Sequence, residues 1–223
     1  MFMNKIISAI NFFVYFFLRN PIYRYIYNRR GNYYECKGKF YNSTINLTGA
    51  NNSIIIEDDV FIRDFLIEIS GQNNRLIIRK GSKFYSKGKI SIFGNNNLVD
   101  IGENTYNIGP ISILVQEDDN KIMTGERCMF AQDTFIRNSD SHSIVTLDGK
   151  RINPSKDVIL GKHVWVGYGA TILKGTILGD NCIVGTQSVI SGKHPQPGCI
   201  YAGNPARLVK EDINWTYEFI KGQ

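Results

Sequence analysis

Three histidines, His142, His163 and His194, stand among the 223 residues, and they are the side chains best suited to move a proton near neutral pH. A neutral imidazole can act as general base toward a hydroxyl when a second group fixes its tautomer. Asp140, two residues before His142, or a backbone carbonyl could supply that second group. His142 closes the run Asn138-Ser139-Asp140-Ser141-His142, at the start of a polar stretch that also holds Gly149, Asn153 and Pro154. His163 falls in a repeat corner and reads as structural; His194 neighbours prolines in a late loop and is not read as a site residue. The cysteines Cys36, Cys128, Cys182 and Cys199 form no CxxC pair and no disulfide-like spacing. Reduced thiols in a cytoplasmic protein are the expectation, with no metal site.

What must position these residues is a repeat of six. From Val158 onward, Leu160, Val166, Ile172, Leu178, Val184 and Ile190 recur without a miss. Four residues after each of the first five stand Val164, Ala170, Thr176, Cys182 and Ser188, all small or medium in size. A strict period of six does not suit an α-helix at 3.6 residues per turn. It suits a triangular prism wound from short strands, one hexapeptide per side and about 18 residues per coil. The aliphatic residue points inward, the small one fits near the corner, and stacked coils bury one apolar column. Cys128 and Cys182 then occupy internal packing positions rather than nucleophilic ones.

Thr124, Phe130 and Ile136 continue the same phase backwards. Further back, Asn51-Asn52, Asn73-Asn74 and Asn95-Asn96 recur every 22 residues, each followed after one residue by an apolar pair or triplet. That interval reads as a coil of 18 plus a four-residue polar corner, with the Asn pairs in left-handed or turn conformations. The repeat is interrupted only at residues 138–157. An insertion this long in a regular prism is either a functional loop or a disordered one, and His142 lies close to where it departs.

Hydrophobic residues make up 43% of the chain and charged residues 21%, which excludes a disordered class. Five of the six net positive charges lie in the first 30 residues (Lys5, Arg19, Arg24, Arg29 and Arg30). The remainder is nearly neutral, which argues against a nucleic-acid-binding surface. Ile6 to Leu18 is too short to span a bilayer, which takes about 20 residues. Asn20 and Pro21 read as an N-cap and first helical position, with Gly31 closing the helix. Short helices are expected over about 4–18 and 21–30, within a basic aromatic arm of residues 1–31. Such an arm suits contact with an anionic membrane surface, at the inner face of the cell membrane, or packing against the body or a neighbouring subunit. The β-helical domain is expected over 32–210, followed by a C-terminal helix over 211–223. Asp212 would cap that helix, and Trp215 and Phe219 would form its apolar face. The fold class is all-β: a left-handed parallel β-helix with short N-terminal helices and a C-terminal helix.

Residues 120–211 resemble the hexapeptide-repeat (left-handed β-helix) acetyltransferases. The similarity is carried by Asn138-Ser139-Asp140-Ser141-His142, by Lys156 through Gly167, and by Ala202-Gly203-Asn204-Pro205-Ala206-Arg207-Leu208-Val209-Lys210. The pattern is most similar to capsular, polysialic-acid-type O-acetyltransferases, with a similar loop; the first 50 residues lie outside it. The resemblance implies a left-handed coil, a homotrimer, and acetyl-CoA in a groove between adjacent prisms. It maps His142 onto the catalytic histidine and Trp165 onto a tryptophan lining the cleft. Tyr168, Thr186 and Ser191 match positions near the thioester and pantetheine arm, and Arg207 and Lys210 match basic positions near the nucleotide phosphates. One departure lies after Ser191, where Gly192 stands in place of the family's frequent lysine and Lys193 follows.

The mechanism these residues imply is direct transfer. His142 takes the proton of a carbohydrate hydroxyl as it attacks the acetyl thioester, and backbone N–H groups stabilise the oxyanion. Other readings stay open at this level. They are a small-sugar, amino-sugar or xenobiotic acetyltransferase, a non-catalytic β-helical scaffold, and a prism-shaped carbonic anhydrase with three histidines on a metal.

Overall fold

The computed structural model describes residues 30–221. The helices expected over 4–18 and 21–30, and the membrane contact of the arm, lie outside the described residues but for Arg30. The described chain winds as a three-sided parallel β-helix. Its faces are sheets of eight, nine and seven strands. The first face starts at Tyr33–Cys36, the second at Lys39–Tyr41 and the third at Thr44–Leu47. Within these three sheets every pairing is parallel except the last, where Ala206–Lys210 folds back antiparallel on Ile200–Gly203.

The hexad phase is the packing phase. Leu160, Val166, Ile172, Leu178, Val184 and Ile190 point inward and are at most 2% exposed. Val164, Ala170, Thr176, Cys182 and Ser188 are buried at the corners. The column continues upstream through Ile136, Phe130, Ile113, Ile92, Phe84 and Ile62. Burying such a stripe against the coils above and below is the main stabilising term of the fold. Cys128 lies wholly inside it, and burial pushes its thiol up to about 12, so it packs rather than reacts.

Coil length changes along the axis. Ser53 pairs with Arg75, a step of 22, whereas Arg75 pairs with Leu98 and Leu98 with Lys121, steps of 23. Beyond the loop Ile159 pairs with Ile177, a step of 18. The extra residues are shared between longer third-face strands, such as Phe65–Ser70 and Gly88–Phe93, and the polar corner after them. That corner is held by an asparagine ladder. The Oδ1 of Asn32, Asn52, Asn74 and Asn97 accepts the backbone N–H of Asn52, Asn74, Asn97 and Asn120 in turn. Asn51, Asn73 and Asn96 sit before it in left-handed conformation. The third pair is therefore Asn96-Asn97 and not Asn95-Asn96, because the step grows to 23. A close approach at this corner requires glycine: a Cβ on Gly71, whose φ is +116°, would lie 1.9 Å from the Gly94 carbonyl oxygen.

The expected C-terminal helix is not formed over the described residues 211–221. The tail runs as irregular backbone, with Trp215 and Tyr217 meeting the prism and Phe219 94% exposed. Trp215 stacks on His163 with ring centroids 4.0 Å apart and donates its Nε1–H to the His163 carbonyl at 2.7 Å. Asp212 has φ +54° and caps nothing. Tertiary contacts at the corner outweigh the weak i, i+4 pattern that favoured a helix.

Among the described residues, two buried side-chain oxygens lack a partner, Thr105 Oγ1 and Asn107 Oδ1. Asn107 faces inward between Phe84 and Phe130, and its Nδ2 donates to the Phe130 carbonyl at 3.3 Å. That carbonyl also accepts the Ile108 N–H. Asn107→Val should therefore stabilise the protein, by about 1 kcal/mol, because it removes an unpaired buried acceptor. A higher urea midpoint at unchanged slope is the expected reading; a lower midpoint would show that the amide is satisfied.

Candidate active site

The interruption of the repeat keeps the phase. Thr124 pairs with Leu160, Phe130 with Val166 and Ile136 with Ile172, so 36 residues advance the column by one coil and the other 18 form a side loop. The loop leaves the corner between the third and first faces. Buried Asn138 pins its mouth by exchanging hydrogen bonds with the Gln116 backbone and accepting the Lys156 N–H at 3.0 Å. A short hairpin follows, with Val145 bridged to Arg151. Its tip carries exposed Ile144, Val145, Leu147 and Ile152.

His142 is exposed at the base of this loop. Its ring makes no hydrogen bond among the described residues, but its backbone carbonyl accepts Asn153 Nδ2–H at 2.8 Å. Asp140 does not hold the imidazole. Its Oδ2 accepts from Asn153 Nδ2 at 2.8 Å and from Lys174 Nζ. Lys174, and then Asn153, hold the Asp140 carboxyl below the usual carboxylate range. The carboxylate is thus spent on loop geometry rather than on the tautomer of His142, because a lysine one coil below competes for it.

A second brace crosses the loop. Arg151 engages Glu117 through two bonds of 2.8 Å, and Ser139 Oγ donates to Glu117 at 2.7 Å. Arg151 first, and Ser139 after it, lower the Glu117 carboxyl to about 2. A lowered pKa makes the stabilisation complete above the ordinary value of 4.5 and lost only as pH falls toward about 2, so the brace is intact at neutral pH. Glu117, Arg151, Lys174 and Asn153 were not among the residues read as the site. None of them left a signal in the sequence: even Lys174 lies in the third hexad after the loop.

The remaining site residues fall elsewhere on the prism. Ser191 is exposed at the corner that carries the loop. Tyr168 and Thr186 are exposed on the next corner, between the second and third faces, one coil apart, with Gln187 N–H bonded to the Tyr168 carbonyl at 2.8 Å. Trp165 is half-buried on the second face between Met129 and Ile183, its ring 5.9 Å from that of Trp215. Arg207 and Lys210 lie exposed on the antiparallel strand that ends this face. Within one chain no contact joins His142 to Trp165 or Tyr168. Tyr168 and Thr186 nevertheless stack down one corner of the prism, with coils about 4.8 Å apart, and Arg207 pairs with Ala202 on the strand beyond, which fits an extended ligand with an anionic end.

His163 and His194 have structural partners. His163 Nδ1 lies 3.0 Å from Asn181 Oδ1, and His194 Nε2 lies 2.9 Å from the Ser191 carbonyl.

Residues 157–192 match the bacterial transferase hexapeptide family (six repeats). The polysialic acid O-acetyltransferase of Neisseria meningitidis is 35% identical over 187 residues, spanning 75% of this chain and 86% of that protein. The crystal structure of the polySia-specific acetyltransferase NeuO is similar at a TM-score of 0.77 and 34% identity, over 84% of this chain and 86% of that one. That of the polysialic acid O-acetyltransferase OatWY is similar at 0.60 and 30%, over 81% and 94%. A prism of this design, interrupted once by a histidine loop and alike over most of its length to these enzymes, belongs to the left-handed β-helical hexapeptide-repeat acetyltransferases, in the group of the polysialic acid O-acetyltransferases.

Proposed function

We propose that this chain transfers the acetyl group of acetyl-CoA to a hydroxyl of an acidic surface polysaccharide, with His142 as general base. The observation that carries the reading is the single break in the repeat. It presents one exposed imidazole, on a loop braced by two ionic contacts, in a chain whose similar proteins are named as polysialic acid O-acetyltransferases.

His142 would take the hydroxyl proton as the oxygen attacks the thioester carbon, then return it to the departing thiolate of coenzyme A. No acyl-enzyme is needed, and buried Cys128 and Cys182 could not form one. Acetyl-CoA would lie along the Tyr168–Thr186 line, its phosphates toward Arg207 and Lys210. His142 and Ser191 lie on one corner and Tyr168 and Thr186 on another, so the complete site would form between neighbouring prisms of a homotrimer. The exposed Ile144, Val145, Leu147 and Ile152 support that arrangement, since an apolar tip this exposed calls for a covering surface. A cytoplasmic location, where acetyl-CoA is made, and contact of the basic arm with the membrane complete the proposal.

Purified protein offered acetyl-CoA with an acidic oligosaccharide, neutral monosaccharides, an amino sugar and chloramphenicol tests the acceptor class. Acetylation of the oligosaccharide, released by mild base as an ester, is the expected result. Labelling of only the small acceptors, or a base-stable amide, would overturn it.

A further inference from the structure

An exposed imidazole whose ring makes no hydrogen bond among the described residues needs something to fix its position, and the loop supplies this through its backbone. Asn153 is buried, and its amide is fully committed. Its Oδ1 accepts the Ile144 N–H at 2.7 Å, and its Nδ2 donates both to the His142 carbonyl and to Asp140 Oδ2, each at 2.8 Å. One side chain thus ties the residue itself, the residue two before it and the residue two after it. Lys174 anchors this knot to the rigid prism. It reaches from the next coil, bonds Asp140 Oδ2, and donates to the Asn153 carbonyl at 3.1 Å. The lysine side chain is 19% exposed and the aspartate 38%, a setting in which an ion pair contributes little to global stability. Its consequence is local: among the described residues it is the ion pair between loop and prism on the His142 side, where Arg137 adds hydrogen bonds to the Ser139 carbonyl and Ser141 Oγ, while Glu117–Arg151 braces the other side.

We propose that Asn153 and Lys174 are positioning residues for the transfer reaction, holding the His142 backbone so that its imidazole meets the acceptor hydroxyl. The inference rests on the reading of His142 as general base. Neither side chain touches substrate. Lys174 has two of its three N–H donors spent inside the loop, which separates this role from binding of an acceptor carboxylate.

Displacement of a catalytic group by about 1 Å costs about 100-fold in rate, so Asn153→Ala and Lys174→Met should each lower kcat by about 10–100-fold with KM for acetyl-CoA and acceptor unchanged. Lys174→Arg, which keeps the cation, should recover most of the loss. In a His142→Ala background, Asn153→Ala should add nothing, since the group it positions is gone. Circular dichroism checks that the β-helix is retained; should Asn153→Ala not fold, Lys174→Met and Lys174→Arg carry the test. A raised acceptor KM with normal kcat in Lys174→Met would make the lysine a substrate ligand and overturn the proposal. So would an additive loss in the double variant. If His142→Ala is inactive but Asn153→Ala and Lys174→Met are fully active, only the positioning role fails. If His142→Ala is active, the reading beneath it fails.

Discussion

Replacing His142 with alanine should lower kcat by about 10²–10⁴-fold, the usual contribution of a well-placed general base. The fold should not change, because the ring is exposed and makes no hydrogen bond among the described residues; only the backbone carbonyl is used, and alanine keeps it. KM for acetyl-CoA should stay close to its original value, since the cofactor path proposed through Tyr168 and Thr186 uses side chains on another corner. Steady-state kinetics with thiol detection reads both constants, and a thermal melt confirms the intact column. A large rise in KM at normal kcat would make His142 a binding residue instead. His163→Ala is the useful contrast. That ring stacks on Trp215 and bonds Asn181, so its loss should lower thermal stability and spare the chemistry.

The second large effect is on stability. Asn97 is 1% exposed and serves three coils at once. Its Nδ2 donates to the Glu117 carbonyl at 2.7 Å, its Oδ1 accepts the Asn120 N–H at 3.0 Å, and its own N–H is bonded to Asn74. Asn97→Ala removes the partner of a buried N–H and of a buried carbonyl, each costing about 1–3 kcal/mol. A loss of about 3 kcal/mol in a domain of this size lowers Tm by about 6–12 °C. Asn97→Asp keeps the acceptor and loses the donor, so it should fall between the two. Because Glu117 follows on the same corner and holds Arg151, the alanine variant should also loosen the loop, visible as faster proteolysis within 138–157. An unchanged melt would mean that the ladder is not a structural spine.

The triangular column was legible because its interior is a single file. Every sixth residue from Leu160 to Ile190 enters the same core, so phase alone specifies the strands, corners and buried cysteines. Upstream the beat weakens, because coils of 22 and 23 residues have room to vary at the polar corner. The run Asn95-Asn96-Asn97 then cannot be phased without knowing which asparagine is buried. The loop announced itself as a gap, and His142 as its one imidazole. Its bracing did not, since Glu117 and Arg151 stand 34 residues apart, as do Asp140 and Lys174. Only the stacking of coils makes such pairs neighbours. Asp140 was read as the partner of His142 from a separation of two residues, which said nothing of a lysine arriving from the next coil. The tail was read as helical from local spacing, and the flat face of His163 decided otherwise.

The distance from the coenzyme A sulfur to the His142 ring, in a crystal structure of the assembled protein with coenzyme A bound, tests the account most directly. The expected result is a sulfur within about 3–4 Å of His142 Nε2, in a groove shared by two prisms, with room beside it for a hydroxyl. A sulfur far from every His142 in the assembly would contradict it.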